Sequence, residues 1–253
     1  MRIVAINGSH RGDKGYTHFL IEKFFKGCMD FGADCEEVIL SKLTINLCKA
    51  CQVCSTEKHY LKCIYEGKDD VSLVFEKMRI ADIIVYATPI YLMNMTGLMK
   101  VFLDRIYSTG DCKKHMLSKY GLFFHHITKE IYSKPFVTII CQDNIENETS
   151  KNVISYFKTF SRFMDAPQVG AIIRRSGGLV GHGKSPEKED QYPKILESYK
   201  AIERAGRELV LNGKISKKAQ KIASQDIIPV PFFSILKNFK WFKKIALKKM
   251  ADF

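Results

Sequence analysis

A predicted strand and a predicted helix are joined by the stretch Asn7-Gly8-Ser9-His10-Arg11-Gly12-Asp13-Lys14-Gly15-Tyr16-Thr17. Residues 2–6 before it are apolar and rich in β-branched side chains, which is typical of a buried parallel strand. Residues 18–25 after it carry apolar side chains at helical spacing. A loop of small residues in this position presents backbone N–H groups beside the positive end of the helix dipole. The stretch therefore predicts an anion-binding loop, and an ordinary strand-to-helix turn is the alternative.

Positive charge is concentrated at one end of the chain. The 253 residues carry a net charge of +13, and residues 214–253 contain ten lysines against two aspartates, a net charge of +8. Because the charge lies mainly in this tail, it gives little support to a nucleic-acid-binding function. No uncharged apolar run approaches the ~18 residues of a membrane span, and the predicted strand at residue 2 leaves no room for a signal peptide. We therefore expect a cytoplasmic protein.

Four more predicted strands alternate with helices along the chain. They cover residues 34–40, 81–87, 135–141 and 168–174, whereas residues 108–134 are predicted as a helical or looped excursion. This alternation predicts an α/β fold, a three-layer sandwich around a five-stranded parallel sheet. In the flavodoxin-like strand order 2-1-3-4-5, the loops after strands 1, 3 and 4 meet at the switch point between strands 1 and 3, where such sheets bind ligands. These loops are residues 7–17, 88–97 and 142–148.

Four of the eight cysteines are clustered between two of these strands. Cys48, Cys51 and Cys54 have the spacing C-x2-C-x2-C, and Cys63 follows after eight more residues. Three thiolates on one tight loop and a fourth further along form a common ligand set for a [4Fe–4S] cluster. Free thiols, a four-thiolate zinc site and a thiol–disulfide pair are the alternatives. Packing roles are expected for the other cysteines, at positions 28, 35, 112 and 141.

The tail is predicted as a basic helical C-terminal extension, residues 213–253. Two prolines within residues 227–231 interrupt the pattern, and residues 232–250 are then predicted as one helix. Its apolar stripe consists of Phe232, Ile235, Phe239, Phe242, Ala246 and Met250. Such a helix either makes peripheral contact with an anionic membrane, or packs its stripe on the protein or a neighbouring subunit and leaves its lysines solvated.

Taken in order, these motifs resemble those of the flavodoxin-like NAD(P)H-dependent FMN reductases, and most closely those of their iron–sulfur flavoproteins. The resemblance covers residues 1 to about 212. It rests on Asn7-Gly8-Ser9-x-Arg11, Gly15-Tyr16-Thr17, the cysteine run, Asp69-Asp70, Thr88-Pro89-Ile90-Tyr91 and the run from Lys100 to Arg105. It implies a flavodoxin-like FMN-binding domain over residues 1–212, with a cysteine-rich loop at residues 46–65.

The resemblance also implies which residues hold the cofactors. The first loop would surround the FMN phosphate, the loop after strand 3 would lie against the isoalloxazine ring, and the third loop would border the flavin. The implied FMN-binding residues are Ser9, His10, Arg11, Gly15, Tyr16, Thr17, Pro89, Ile90, Tyr91, Leu92, Met93, Asn94 and Gln142. The implied ligands of the [4Fe–4S] cluster are Cys48, Cys51, Cys54 and Cys63. No catalytic side chain is named, because hydride transfer to flavin N5 requires no acid or base from the protein.

The implied function is that of an FMN-dependent oxidoreductase. It would move electrons between NAD(P)H or a reduced carrier and an acceptor, with the iron–sulfur cluster as an additional carrier. The alternative is a flavodoxin-like electron carrier without small-molecule turnover of its own, in which the cysteines are free thiols. Reduction of the flavin by NADH or NADPH distinguishes the two. The resemblance further implies a homo-oligomer, either a dimer or a tetramer, and a ferredoxin-like electron partner.

Overall fold

A computed structural model describes residues 1–251, without the side chains of residue 112 and residues 246–251. The predicted packing role of Cys112 therefore lies outside the described side chains. The strands are β1 (Arg2–Asn7), β2 (Asp34–Ile39), β3 (Ile83–Tyr91), β4 (Asn94–Met95), β5 (Asp111–Leu117), β6 (Phe123–His126), β7 (Phe136–Cys141) and β8 (Gln168–Arg174). The helices are α1 (Tyr16–Met29), α2 (Val71–Ile80), α3 (Gly97–Asp104), α4 (Lys129–Tyr132), α5 (Lys151–Phe163), α6 (Gly177–Val180), α7 (Pro186–Asp190), α8 (Pro193–Asn212), α9 (Lys217–Ala223), α10 (Phe233–Leu236) and α11 (Lys240–Ala251).

Five parallel strands form the central sheet in the order β2-β1-β3-β7-β8. Since β7 and β8 are its fourth and fifth strands along the chain, this is the predicted order 2-1-3-4-5, which is confirmed. The inner strands are apolar along almost their whole length, because helices cover both faces of a parallel sheet. The short strand β4 extends this sheet by pairing antiparallel to the end of β3.

The sheet separates two apolar layers. Successive side chains of β1 point to opposite faces, so that Ile3 and Ala5 pack with α1 and α8, whereas Val4 and Ile6 pack with α2, α3 and α5. On the first face α1 and α8 approach very closely, since a Cβ atom at Gly27 would lie 1.8 Å from the backbone oxygen of Glu203. The predicted three-layer α/β architecture is thus confirmed.

The segment between α3 and β7 differs from the prediction. β5 and β6 form an antiparallel hairpin, so the helical or looped excursion predicted over residues 108–134 is wrong in this part. Aromatic contacts across the strands stabilise the hairpin: the rings of His115 and Phe123 stack at 4.8 Å. Lys113 and Lys114 lie within β5 and remove the apolar alternation by which a strand is recognised from sequence.

The first part of the C-terminal extension packs on the edge of the sheet. Gln220 Oε1 accepts a hydrogen bond from the Ala171 N–H at 2.9 Å, and Ser224 Oγ accepts one from the Ile173 N–H at 3.0 Å. These side chains cover the outer edge of β8, which has no further strand beside it among residues 1–251. The division of the chain at residue 212 stays a prediction, and residues 213–227 pack across it.

Residues 232–250 form two helices, so the prediction of a single helix is wrong. α10 ends at Leu236 and α11 begins at Lys240. The side chain of Lys237 between them is buried, a placement that the pattern of apolar residues does not indicate. The predicted stripe residues Ala246 and Met250 lie outside the described side chains. No helix in the described part of the chain is long and apolar enough to cross a bilayer.

Candidate functional site

Three loops at the carboxyl ends of β1, β3 and β7 line one open cleft of about 720 Å³. This is the edge at which parallel α/β sheets bind their ligands. The lining residues are Ser9, Arg11, Tyr16, Thr17, Pro89, Ile90, Tyr91, Cys141, Gln142, Asp143 and Gly177. Eight of the thirteen implied FMN-binding residues therefore line this cleft. The other five belong to the same loops but do not form part of its wall: His10, Gly15, Leu92, Met93 and Asn94.

A chain of hydrogen bonds holds the first loop from beneath. Asn7 accepts a bond from the Ser9 N–H at 2.8 Å and donates one through Nδ2 to Glu37 Oε1 at 2.7 Å. Glu37 Oε2 lies 2.6 Å from His18 Nδ1, and burial raises the pKa of the Glu37 carboxyl. Glu37 lies on the neighbouring strand β2, and no motif in the sequence indicated this role.

The start of α1 offers several donors to an anion. Gly15 precedes the helix, and no side chain caps it, so its first N–H groups are open to a ligand. A Cβ atom at Gly15 would lie 2.7 Å from Ser9 Oγ, so any larger residue would displace the Ser9 hydroxyl from its place in the loop. Arg11 and Lys184 place cationic groups 5.9 Å and 5.7 Å from the ring centre of Tyr16. This end of the cleft can bind a phosphate group.

The second loop is a tight hairpin with an unusual tip. Tyr91 and Asn94 pair across β3 and β4, and Leu92 and Met93 form the turn with φ values of 45° and 60°. Two consecutive positive φ values correspond to a type I′ turn, which favours Asn-Gly over bulky residues. Asn152 Nδ2 donates to the backbone oxygen of Met93 at 3.0 Å and steadies the turn. Strain of this kind is characteristic of ligand-binding segments.

Thr96 ties the first two loops together. Its hydroxyl donates to the backbone oxygen of Gly8 at 2.7 Å and accepts from the Met99 N–H at 3.1 Å, which also caps α3. At the outer rim, the rings of His10 and Tyr91 stack at 6.0 Å with an angle of 9° between their planes. These contacts hold the two loops in a defined relative position.

The third loop supplies an unsatisfied acceptor. Gln142 is buried, and its Nε2 donates to the backbone oxygens of Asn144 at 2.7 Å and Glu146 at 2.8 Å. Gln142 Oε1 has no hydrogen-bond partner among the described residues, and such a buried acceptor is stabilised by a ligand N–H. Asp143 accepts from the Gly178 N–H at 2.6 Å, which brings Gly177 to the cleft. The sequence predicts only a flexible segment around Gly177. The pair Gly177-Gly178 is the signal in the sequence that could have indicated a close approach of this backbone to the cleft.

A second cavity collects the clustered cysteines. Cys48, Cys51, Cys54 and Cys63 all line one small cavity, and all four are free thiols. Backbone φ values are positive at the intervening residues 50 and 52, which curls the C-x2-C-x2-C loop around the cavity. The Leu61 N–H donates to the backbone oxygen of Cys54 at 2.8 Å and brings the segment of Cys63 back to the loop.

The four thiols share one cavity without forming a closed single-ion site. Among the described side chains, no three Cys, His, Asp or Glu residues lie close enough to hold one metal ion. A [4Fe–4S] cubane takes four thiolate ligands, and the cavity brings that number of thiols together. Burial raises the pKa of the Cys54 thiol. A bound cationic metal centre would lower this pKa instead, because it favours the thiolate.

A buried ion pair connects the cysteine loop to the domain. Arg105 pairs with Asp69, both side chains are at most 2% exposed, and Arg105 also donates to the backbone oxygen of Asn46 at 3.0 Å. Burial opposes the charge on Arg105, but Asp69 and the neighbouring Cys63 outweigh it and raise the pKa of the guanidinium. Arg105 also lines the cysteine cavity. It therefore places a fixed positive charge beside the thiols.

Residues 1–128 match the sequence profile of the family described as NADPH-dependent FMN reductase, about half of the chain. This chain belongs to that family. The matched part contains the first two loops of the cleft and the whole cysteine run, and the family resemblance drawn from the sequence is confirmed.

Two curated relatives and one solved structure are similar to this FMN reductase family member. The chain is 39% identical over 105 residues to an iron-sulfur flavoprotein of Archaeoglobus fulgidus, across 42% of this chain and 48% of the relative. It is 33% identical over 105 residues to an iron-sulfur flavoprotein of Methanocaldococcus jannaschii, across 42% of this chain and 50% of the relative. The chain thus spans about half the length of the curated relatives that it matches. An FMN-dependent NADH-azoreductase from Bacillus anthracis, solved in complex with FMN, shares the fold with a TM-score of 0.58 and 14% identity, over 83% of this chain and 99% of that one.

Proposed function

We propose that the cleft binds FMN and that the protein is a flavin-dependent oxidoreductase. It would move electrons between NAD(P)H or a reduced carrier and an acceptor. The observation that carries the proposal is the meeting of an uncapped helix start and a strained hairpin in one cleft. Membership of the NADPH-dependent FMN reductase family supports the proposal, as does the complex of the azoreductase with FMN.

The two ends of the cleft would serve different parts of FMN. Ser9, Arg11 and Thr17 surround the start of α1, where hydroxyl, guanidinium and backbone donors favour a phosphate. Residues 89–91 and Gln142 border the other part of the cleft, where Gln142 Oε1 would accept a hydrogen bond from a ring N–H. FMN, when bound, supplies both two-electron and one-electron chemistry. The protein's own contribution is to hold and orient it.

We further propose that Cys48, Cys51, Cys54 and Cys63 hold one [4Fe–4S] cluster. Their spacing, their shared cavity and the names of the two curated relatives support this assignment. The fixed charge of Arg105 would favour the anionic thiolates and clusters that such a site contains. A dimer or tetramer and a ferredoxin-like electron partner are also proposed, on the family resemblance of residues 1–212.

Anaerobic reduction by pyridine nucleotides tests the oxidoreductase assignment. FMN-loaded protein mixed with NADH or NADPH should lose its flavin absorbance, whereas free FMN at the same concentration should be reduced far more slowly. If neither nucleotide reduces the bound flavin but dithionite does, NAD(P)H is not the electron donor, and a reduced carrier as donor or the electron-carrier alternative is favoured.

Anaerobic reconstitution tests the cluster assignment independently. Wild-type protein should take up about four irons and four sulfides per chain. Cys51→Ser should lower this uptake, whereas the control Cys35→Ser, which lies outside the cavity, should leave it unchanged. Uptake below about one iron per chain in the wild-type protein would contradict the cluster and favour free thiols or a zinc site.

A further inference from the structure

The apolar residues at the C-terminal end face solvent instead of the domain. Five of them are between 48% and 79% exposed, and together they define the tail surface: Phe232, Ile235, Phe239, Trp241 and Ile245. The nearby Phe233, in contrast, is buried. Five large exposed apolar side chains within fourteen residues are uncommon in a folded domain, and such concentrations mark sites of interaction.

The orientation of these helices is fixed by their polar residues. Lys237 is buried and donates to Asp226 Oδ1 at 2.9 Å, to the backbone oxygen of Ile145 at 3.0 Å and to Asn147 Oδ1 at 3.3 Å. Lys243 forms an ion pair with Glu146 on the same loop at 2.5 Å. An amphipathic helix normally turns its apolar side to the core and its lysines to water. Here a lysine anchors the segment, and the apolar side chains are left outside.

The charge around the tail surface narrows the choice of partner. Lys240 and Lys244 are exposed beside Trp241 and Ile245, and residues 232–245 contain four lysines and no acidic residue. Among the described residues, two carboxylates contact this segment, and both are already paired, Asp226 with Lys237 and Glu146 with Lys243. A second copy that met this surface with its own tail, as in a two-fold dimer, would bring the same positive charge against it, which is unfavourable. A nucleic acid would match the charge but would leave five large apolar side chains uncovered, because such interfaces are polar.

We propose that residues 232–245 dock the protein on an anionic lipid bilayer. Aromatic and aliphatic side chains would enter the boundary between headgroups and acyl chains, and the lysines would contact the lipid phosphates. This inference does not depend on the proposed flavin chemistry. Because Lys237 and Lys243 bind the loop that follows Gln142, the docked surface would stand in a fixed position relative to the cleft.

Co-sedimentation of the full-length protein with lipid vesicles tests the proposal. The protein should sediment with vesicles of phosphatidylcholine and phosphatidylglycerol, not with phosphatidylcholine alone, and the bound fraction should fall as salt is raised. Phe239→Ser/Trp241→Ser should lower the vesicle partition at least about tenfold, because two apolar anchors are removed. Lys240→Glu/Lys244→Glu should also lower it. The control Leu196→Ser/Leu211→Ser removes exposed apolar side chains of α8 and should change nothing.

Several outcomes would overturn the proposal. The proposal is wrong if the wild-type protein does not sediment with anionic vesicles. It is also wrong if Phe239→Ser/Trp241→Ser sediments with them to the same extent as the wild type. A smaller oligomer for Phe239→Ser/Trp241→Ser in lipid-free gel filtration, without an effect on vesicle binding, would show that a second copy covers the tail surface. Circular dichroism and FMN binding of each variant confirm that a loss of sedimentation is not a loss of fold.

Discussion

Arg105 is the residue on which the position of the cysteine loop most depends. It neutralises Asp69 in a fully buried pair and bonds to the backbone of Asn46, where the loop leaves the domain. The sequence contains both members, Asp69 after the last clustered cysteine and Arg105 at the end of α3. Their contact could not be derived from it, since they meet only through the tertiary fold. A charge buried in this way stabilises the fold only while its partner remains.

Arg105→Gln should therefore destabilise the protein strongly. The substitution leaves the Asp69 carboxylate buried without its counter-charge, and the expected loss is about 3–5 kcal/mol of unfolding free energy. Urea denaturation followed by circular dichroism measures it. The control Lys100→Gln breaks the exposed pair with Asp104 and should cost at most about 1 kcal/mol. Equal losses for the two variants would contradict the role given to Arg105.

His182 should make folding stability depend on pH. Burial, together with the charge of Arg174, lowers the pKa of His182 to about 3 from a usual value of 6.5. Between these values the unfolded chain binds a proton that the folded protein does not, so stability falls as pH decreases below 6.5. The contribution is about 1.4 kcal/mol per pH unit, or about 2 kcal/mol between pH 6.5 and pH 5.

The variant His182→Asn isolates this effect. Asparagine tolerates the positive φ of 38° at this position and does not titrate in this range. Urea denaturation at pH 7.5 and pH 5 should show a smaller loss of stability for the variant than for the wild type, whatever the offset at neutral pH. An identical pH dependence for both proteins would show that His182 titrates normally in the folded state.

At the scale of elements, apolar runs and loop chemistry could be predicted, whereas contacts between distant segments could not. The five strands of the sheet were located from sequence because buried parallel strands are continuous apolar runs, as in β7. The β5–β6 hairpin does not follow from the sequence pattern, because its stability comes from cross-strand contacts such as that of His115 with Phe123, which form only when the strands pair. The apolar stripe of the tail predicts one helix, because nothing in that pattern shows that Lys237 turns inward.

Relieving the strain at the tip of the β3–β4 hairpin should stabilise the protein and weaken its binding of FMN. Leu92 and Met93 occupy turn positions that favour Asn-Gly, so Leu92→Asn/Met93→Gly should raise the unfolding free energy by about 1–2 kcal/mol. The same change removes two apolar side chains from the rim of the cleft and should weaken FMN binding. Thermal denaturation and FMN titration of the same preparations measure both effects. A variant that is no more stable than the wild type would contradict the strain assigned to this turn.

At the scale of the whole molecule, the cleft could be foreseen because its position follows from topology. Loops after strands 1, 3 and 4 had to share the carboxyl edge of the sheet, and residues 7–17, 88–97 and 142–148 do so. The supports behind these loops were not foreseeable. Glu37 reaches the first loop from β2, and Gly177 reaches the cleft from beyond β8, because strands far apart in sequence are neighbours in the sheet.

The assignment of the cleft to FMN is tested best by comparing FMN with riboflavin, which lacks the phosphate. Fluorescence titration of the flavin-free protein should show FMN binding at one site, with riboflavin bound at least about tenfold more weakly, since charge-assisted hydrogen bonds at the start of α1 are lost. Arg11→Ala should reduce the ratio between the affinities for FMN and riboflavin, because the guanidinium at the phosphate is removed. The control Arg204→Ala, which breaks the exposed pair with Glu208 on α8, should leave this ratio unchanged. Equal affinity for the two flavins, or no quenching of either, would contradict the claim that this cleft is an FMN site.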